Sequence, residues 1–279
     1  MTENSLLRGR KLGFIGVGNL GRSVIKALIE SKSVRSDQVW ATNRTSRKLQ
    51  KAAAEFGIHS FENNEELVAE CDVIFLGMKP QDLYSAIEPM ASDFTEAHTV
   101  VSFAAGISLS ALKKMLPQVK KIVRVIPNTP VRLGKGVVGY CLPDGMDHLS
   151  TFMESLLCPL GYVVKVSEGE AFEALTVACS SGVGFVFELM VYWQEWLEEH
   201  GFEPEVARQL TVDTFNGAAA LAKDKSSTEI SELQRQVVSK KGVTAAGLES
   251  MRELEVERAL RYSFEKAVLR DRDLGKTSV

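Results

Sequence analysis

Through the first half of the chain, apolar residues fall in short unbroken runs separated by stretches with helical spacing. The runs Lys11–Gly16, Gln38–Asn43, Asp72–Met78, Thr99–Ala104 and Lys121–Ile126 are rich in Val, Ile and Phe, without polar alternation. That is the pattern of strands covered on both faces. Between them, Asn19–Ser31, Ser46–Phe56, Glu65–Ala69, Gln81–Met90 and Ser108–Leu116 read as helices. The alternation predicts a doubly wound α/β fold, with a mostly parallel sheet, right-handed crossovers and helices on both faces. Two further strands, Gly136–Leu142 and Tyr162–Val166, flank a helix at Asp147–Leu157 and complete the domain.

Beyond about Ser167 the strand signals stop. Helical patterns follow at Glu170–Ala178, Gly184–Glu199, Pro204–Lys223, Glu229–Val237 and Thr244–Arg270. Gly201 ends one helix and Pro204 opens the next, where a missing N–H costs little. The expected organisation is a sheet domain over residues 1–166 and an all-helical domain over 167–279. So large a helical half suits association with a second copy.

Composition narrows the function. The chain has 279 residues, 45% of them hydrophobic and 25% charged, with 33 basic against 36 acidic residues and a net charge of −3. That balance offers no field for nucleic acid or an anionic membrane, so neither is expected as a partner. No apolar run reaches the ~20 residues that span a bilayer, and residues 1–10 lack the apolar core of a secretory signal. Cys71, Cys141, Cys158 and Cys179 are far apart and unpaired in pattern, which suits reduced thiols and a cytoplasmic location. His59, His98, His148 and His200 are equally scattered, and no metal site is expected.

The sharpest chemical signal is Gly16-Val17-Gly18-Asn19-Leu20-Gly21, between the first strand and the first helix. Gly16 permits a tight turn, Gly18 lets phosphates reach the backbone, and Gly21 lets the helix pack on the strand. In that context the motif reads as a Rossmann-type dinucleotide site, with a purely structural glycine turn as the alternative. An NAD-preferring site usually places a carboxylate after the second strand to bind the ribose hydroxyl. Here Thr42-Asn43-Arg44-Thr45-Ser46-Arg47-Lys48 stands instead, so a 2′-phosphate is favoured and NADPH is the expected cofactor, with NADH possible. The bland alternative is a solvated basic turn. Met78-Lys79-Pro80 and Ala104-Ala105-Gly106 end two other strands on the same edge, as cofactor contacts or as simple turns.

Arg124-Val125-Ile126-Pro127-Asn128-Thr129-Pro130 adds a further motif. With Gly13-Phe14-Ile15-Gly16-Val17-Gly18-Asn19-Leu20, Lys79-Pro80 and Ala104-Ala105-Gly106 in the same order, the chain resembles the pyrroline-5-carboxylate reductases over nearly its whole length. The resemblance implies NAD(P)H-dependent reduction of the C=N bond of 1-pyrroline-5-carboxylate to L-proline. It also implies dimers, or rings of dimers, formed through the C-terminal helices. Carried over residue by residue, cofactor contacts fall on Ile15, Gly16, Val17, Gly18, Asn19, Leu20, Asn43, Arg44, Asn64, Gly77, Met78, Lys79, Pro80, Ala104, Ala105, Gly106 and Asn128. The family's carboxylate loop corresponds to Ser239-Lys240-Lys241-Gly242-Val243-Thr244, which assigns Gly242, Val243 and Thr244 to the substrate carboxylate, with Ser181 and Thr176 in the pocket wall. Helix-start amides suit an anion, although Thr244 would also serve as a plain helix cap.

The chain departs from the family in two places. Lys240 and Lys241 stand where Pro and Gly are usual, either adding positive charge for a carboxylate or merely solvated. Cys179-Ser180-Ser181-Gly182-Val183-Gly184-Phe185 replaces a Ser-Gly-Ser-Gly-Pro-Ala-Tyr segment. No catalytic acid is named, because hydride transfer to a protonated imine needs mainly positioning. Competing readings are another imine or β-hydroxyacid reductase and a non-catalytic NADPH-binding relative. The helix starting near Glu170 has no lysine before Lys223, which disfavours a hydroxyacid enzyme with a catalytic lysine there.

Overall fold

The computed structural model describes residues 5–276. Eight strands form one sheet in the order β3-β2-β1-β4-β5-β6-β7-β8. They are β1 (Leu12–Ile15), β2 (Val39–Thr42), β3 (His59–Ser60), β4 (Val73–Leu76), β5 (Thr99–Ser102), β6 (Lys121–Pro127), β7 (Gly136–Cys141) and β8 (Gly161–Lys165). Neighbours are parallel except β6 and β7, which run antiparallel. The sequence foresaw seven of these strands; β3 is two exposed residues at the edge, too short to leave a periodic signal.

Strand period 2 divides the core cleanly. Phe14, Val73, Phe75 and Val101 pack into one apolar cluster, while their chain neighbours Ile15, Ile74, Leu76 and Val100 pack into the other. Phe14 and Phe75 stack across adjacent strands with centroids 4.3 Å apart. Both faces are covered by helices: α1 (Asn19–Glu30), α2 (Ser46–Phe56), α3 (Asn64–Glu70), α4 (Pro80–Ile87), α5 (Leu109–Met115) and α6 (Ser150–Leu157). Their ends follow local chemistry. The Asn63 side chain caps α3 by accepting from the Glu66 amide, Ser108 caps α5 by accepting from the Ala111 amide, and α2 stops at left-handed Gly57.

After β8 come α7 (Glu170–Leu175), α8 (Gly182–Glu199), α9 (Pro204–Asp224), α10 (Ile230–Gln236), α11 (Val243–Glu253) and α12 (Val256–Lys276). The gap expected between 178 and 184 is instead a π-helical turn, Thr176–Ser181, that joins α7 to α8. The single helix expected over 244–270 is two, broken where Glu255 takes φ +52. The chain divides into two compact units. One runs to Ser181 and resumes at Ala267; the other is Gly182–Lys266. The strand pattern ends near 166, as the sequence indicates, but the first unit continues through α7 because Phe172 is buried beside Ile126 and Cys141.

In the Gly182–Lys266 unit, Trp193 meets Phe215 edge-on at 5.3 Å and Phe185 meets Phe264 at 5.4 Å. Yet Phe187, Tyr192, Trp193 and Trp196 remain exposed in the single chain. The continuous helical run Glu170–Glu199 is long and apolar enough to cross a membrane by length and composition, with a hydropathy of 1.7 in its most apolar window, 17% of it buried. The sequence reading missed this stretch, because Ser, Thr and Gly interrupt its apolar residues without interrupting the helix.

Candidate functional site

Three glycines share one crowded point at the carboxyl end of β1. Gly16 has φ +98, and a Cβ there would lie 3.0 Å from the carbonyl carbon of Gly77. A Cβ on Gly77 would come within 2.5 Å of the Gly16 carbonyl oxygen, and one on Gly21 within 2.7 Å of the same atom. Only bare backbone lets the β1 turn, the β4 turn and α1 approach one another so closely. Gly18 differs, because a Cβ there would meet nothing within 4 Å. Its missing side chain leaves space open directly before α1, whose first turn has no side-chain cap. Free amides and the positive end of the helix dipole therefore face an open volume, as an anion site requires.

That volume belongs to a cleft of about 620 Å³ along the carboxyl ends of β1, β2 and β4. Ile15, Gly16 and Gly18 line it from the first turn; Thr42, Asn43, Arg44, Thr45 and Lys48 from the second; Gly77, Met78 and Lys79 from the third. Glu62, Asn63, Asn64 and Glu65 close one wall, and Asp82, Ser85 and Ala86 on α4 another. Ligands of open α/β sheets bind at such an edge, where the strand order reverses on either side of β1. Asn43 is a strut: its Oδ1 accepts from the Val17 amide at 3.1 Å, and its Nδ2 donates to the Thr45 carbonyl at 3.1 Å. Thr42 Oγ1 donates to Asn64 Oδ1 at 2.6 Å, tying the α3 start to β2. Arg44 is 87% exposed at the mouth, with Nη1 3.7 Å from Asp82 Oδ1.

Nine residues singled out from the sequence thus line one cleft: Ile15, Gly16, Gly18, Asn43, Arg44, Asn64, Gly77, Met78 and Lys79. Val17 is buried in the core, while Asn19, Leu20 and Pro80 open the adjoining helices. Ala104-Ala105-Gly106 follows β5, one strand along from the Gly77 turn, and Phe103 N donates to the Leu76 carbonyl at 3.1 Å. Asp82, Ser85 and Glu62 were not foreseen. They reach the cleft from α4 and from the turn before α3, and carry no motif of their own.

Asn128, at the end of β6, is buried with both ends of its carboxamide engaged. Its Nδ2 donates to the Cys179 carbonyl at 3.2 Å and its Oδ1 accepts from the Val137 amide at 3.0 Å. Ser180 Oγ donates to the Pro127 carbonyl at 3.0 Å. The π-helical turn is therefore pinned to the end of β6, and such turns recur at functional sites. Thr176 lies within it, buried, with its hydroxyl donating to the Phe172 carbonyl at 2.8 Å; Ser181 ends it, exposed.

Beside the 104–106 loop lies a second cavity of about 350 Å³. Arg124, 6% exposed, donates to Glu168 at 2.8 Å and stands 4.2 Å from the centre of the Phe172 ring, while its Nε has no hydrogen-bond partner. The same Glu168 oxygen accepts from the Leu109 amide at 2.7 Å. The Cys71 and Cys141 thiols are pushed up to about 12 by burial, so neither is a nucleophile near neutrality. Among the described residues no His, Cys, Asp and Glu cluster could hold a metal ion.

In the Gly182–Lys266 unit, α11 is preceded by Gly242 in extended conformation, and no side chain caps its first amides. Thr244 is the second helical residue rather than the cap, and Val243 is 93% exposed. Lys240 and Lys241 are exposed, and Lys241 has φ +58, a conformation suited to glycine.

Residues 169–274 match a family model described as pyrroline-5-carboxylate reductase dimerisation, and residues 11–106 one described as NADP oxidoreductase coenzyme F420-dependent. The pyrroline-5-carboxylate reductase of Vibrio alginolyticus is 31% identical over 269 residues, covering 96% of this chain and 98% of that protein. The Pseudomonas aeruginosa enzyme is 32% identical over 271 residues, covering 95% and 98%. Among solved structures, the Coxiella burnetii pyrroline-5-carboxylate reductase has a TM-score of 0.85 at 27% identity, covering 95% of this chain and 98% of that one. The Plasmodium falciparum pyrroline carboxylate reductase with NADP bound shares the fold with a TM-score of 0.85 at 21% identity, covering 96% and 98%. With identity above 30% across almost the full length of both chains, this protein belongs to the pyrroline-5-carboxylate reductase family.

Proposed function

We propose that this chain reduces the C=N bond of 1-pyrroline-5-carboxylate to give L-proline, using NADPH in preference to NADH. The observation that carries this reading is the β1–β2–β4 cleft, with open space over Gly18 at one end and Arg44, Thr45 and Lys48 at the other. Uncapped amides at the α1 start take a pyrophosphate, and the basic turn after β2 takes a 2′-phosphate. When bound, the reduced nicotinamide supplies hydride to the imine carbon.

The chain's own task is placement. Met78 and Lys79 border the cleft after β4, and the 104–106 loop offers small side chains beside the next strand. The uncapped start of α11 at Gly242, Val243 and Thr244 receives the substrate carboxylate; Ser181 and Thr176 belong to the pocket wall on the sheet-bearing unit. The ring nitrogen carries a proton before reduction, so hydride arrival yields the neutral secondary amine without a protein acid.

Two copies associate through the C-terminal helices in this reading. The exposed Phe187, Tyr192, Trp193 and Trp196 on α8 support it, because a second copy would remove them from water at about 25 cal/mol per Å² of apolar surface. The cytoplasmic location is part of the same proposal, supported by four free cysteines.

The test follows NADPH oxidation with pyrroline-5-carboxylate, and separately with six-membered piperideine carboxylates. Turnover with the five-membered ring and a dimer or multiple of dimers in sedimentation are expected. Turnover with the six-membered ring alone would transfer the reading to another imine reductase, and the departures at 179–185 and 239–244 make that comparison worthwhile. Tight NADPH binding without turnover would refute the enzymatic reading.

A further inference from the structure

The last turns of α12 pack against the loop that follows β5, at two points where ordinary side chains would not fit. Gly106 has φ +74, and a Cβ there would collide with the Asp271 carbonyl oxygen and lie 2.9 Å from the Gly275 nitrogen. A Cβ on Gly275 would collide in turn with the Gly106 carbonyl oxygen. Gly275 lies inside the helix and its φ is not positive, so it is not a left-handed terminator. Glycine within a helix costs roughly 1 kcal/mol relative to alanine, so a packing reason is needed, and the Gly106 carbonyl supplies it.

The third contact is polar. Asp271 on α12 is 7% exposed, and the Gly106 amide is among the groups that act on its carboxyl. Burial raises its carboxyl above the usual carboxylate range, while Arg124 and that amide oppose the rise. A buried carboxylate is costly, so its placement beside this loop is specific. The next residue, Arg272, grips Glu173 with two hydrogen bonds of 2.9 and 2.6 Å, fixing the helix end on α7. The sequence pattern ended this helix at 270, short of the residues that make these contacts.

We propose that Asp271 and Gly275 are positioning residues, holding Ala104-Ala105-Gly106 in the conformation that receives the nicotinamide half of the cofactor. The proposal rests on the dinucleotide reading above. It goes further by giving the end of α12 a role in hydride transfer, separate from subunit association. The phosphate contacts at Gly18 and Arg44 lie on other strands, so disturbing the 104–106 loop misplaces the reacting end without releasing the anchored end. Displacements of about 1 Å at a reacting centre cost on the order of 100-fold in rate.

The test uses the full-length protein with Gly275→Ala, Asp271→Ala and Asp271→Asn. NADPH affinity is read by fluorescence titration, kcat by NADPH oxidation, and folding by thermal melting. For Gly275→Ala and Asp271→Ala we expect kcat to fall tenfold or more, while the NADPH dissociation constant rises less than threefold. Asp271→Asn keeps the shape and a side-chain oxygen beside the Gly106 amide and recovers most of the loss, which a role confined to stability would not produce. If Gly275→Ala fails to fold, the Asp271 pair decides by the same criteria. Values of kcat within twofold of the parent in the folded variants overturn the proposal, as does a loss confined to melting temperature. If these variants bind and turn over normally while Arg44→Ala weakens NADPH, the inference fails and the dinucleotide reading stands. If the parent protein shows no response to NADPH, both fail.

Discussion

Replacing Arg44 with Ala tests which dinucleotide the cleft was built for. Its guanidinium stands 87% exposed at the mouth, so its interaction with a 2′-phosphate is that of charges in water, not in a protein interior. A phosphate of about two negative charges at roughly 4 Å from a single positive charge gains about 2 kcal/mol in bulk dielectric. At physiological salt, with a screening length of about 8 Å, that falls to about 1.2 kcal/mol, roughly an eightfold preference. Asp82, 3.7 Å from Arg44, opposes the phosphate and offsets part of this gain. Steady-state kcat/KM for NADPH should therefore fall by about eightfold in Arg44→Ala, with NADH unchanged, and should rise for NADPH in Asp82→Asn. Raising the salt concentration should shrink the parent's preference for NADPH more than the variant's, which keeps only Lys48 of the cleft's two basic residues in that turn. An equal loss with both cofactors would refute the assignment, since Arg44 would then serve a part that both share. No loss with either would also refute it, leaving the basic turn merely solvated.

Thr244→Ala removes the hydroxyl beside the uncapped start of α11 and should raise the substrate KM by about tenfold, the worth of one hydrogen bond to a charged group, with NADPH affinity unchanged; an unchanged KM would sink the carboxylate assignment. Lys241→Gly should stabilise the protein by about 0.5–1 kcal/mol in denaturant unfolding, because relief of a left-handed lysine exceeds the added freedom of glycine in the unfolded chain; a loss of stability would show that the lysine side chain makes a compensating contact. Glu173 is held below the usual glutamate range chiefly by its hydrogen bonds from Arg272. Its stabilising effect is therefore present above the unfolded value of about 4.3 and is lost as pH falls through the lower folded value. Glu173→Gln should destabilise by about 1 kcal/mol near pH 7, and thermal melts of parent and variant should converge toward pH 3; a gap that persists in acid would refute the ion-pair origin.

The catalytic reading asks little of titrating side chains, and the structure is consistent with that division of labour. Its most deeply buried charges, Arg124 and Asp271, gather at the 104–106 loop and the α12 end, with Glu168 and Glu173 alongside. The cleft is lined by backbone turns, with charged side chains such as Arg44, Lys48, Lys79 and Asp82 among its lining. Charge here fixes the position of loops, and the loops present amides and space to a ligand.

The sequence by itself determined the alternation of strands and helices, the glycine turn after β1 and the basic turn after β2. Each is a local property: an apolar run, a backbone conformation or a short charged stretch states its own requirement within a few residues. Tertiary structure alone decided that Asp82 stands opposite Arg44, and that Asn128 spends its carboxamide on Cys179 and Val137. It also decided that α7 continues into α8 through a π-helical turn and that Gly275 packs against Gly106. In each case the partners lie far apart in the chain, or a backbone switch occurs at a residue such as Glu255 that no glycine or proline marks. Their relation is set by which surfaces the packed sheet and helices bring together, and neither member of such a pair carries the imprint of the other.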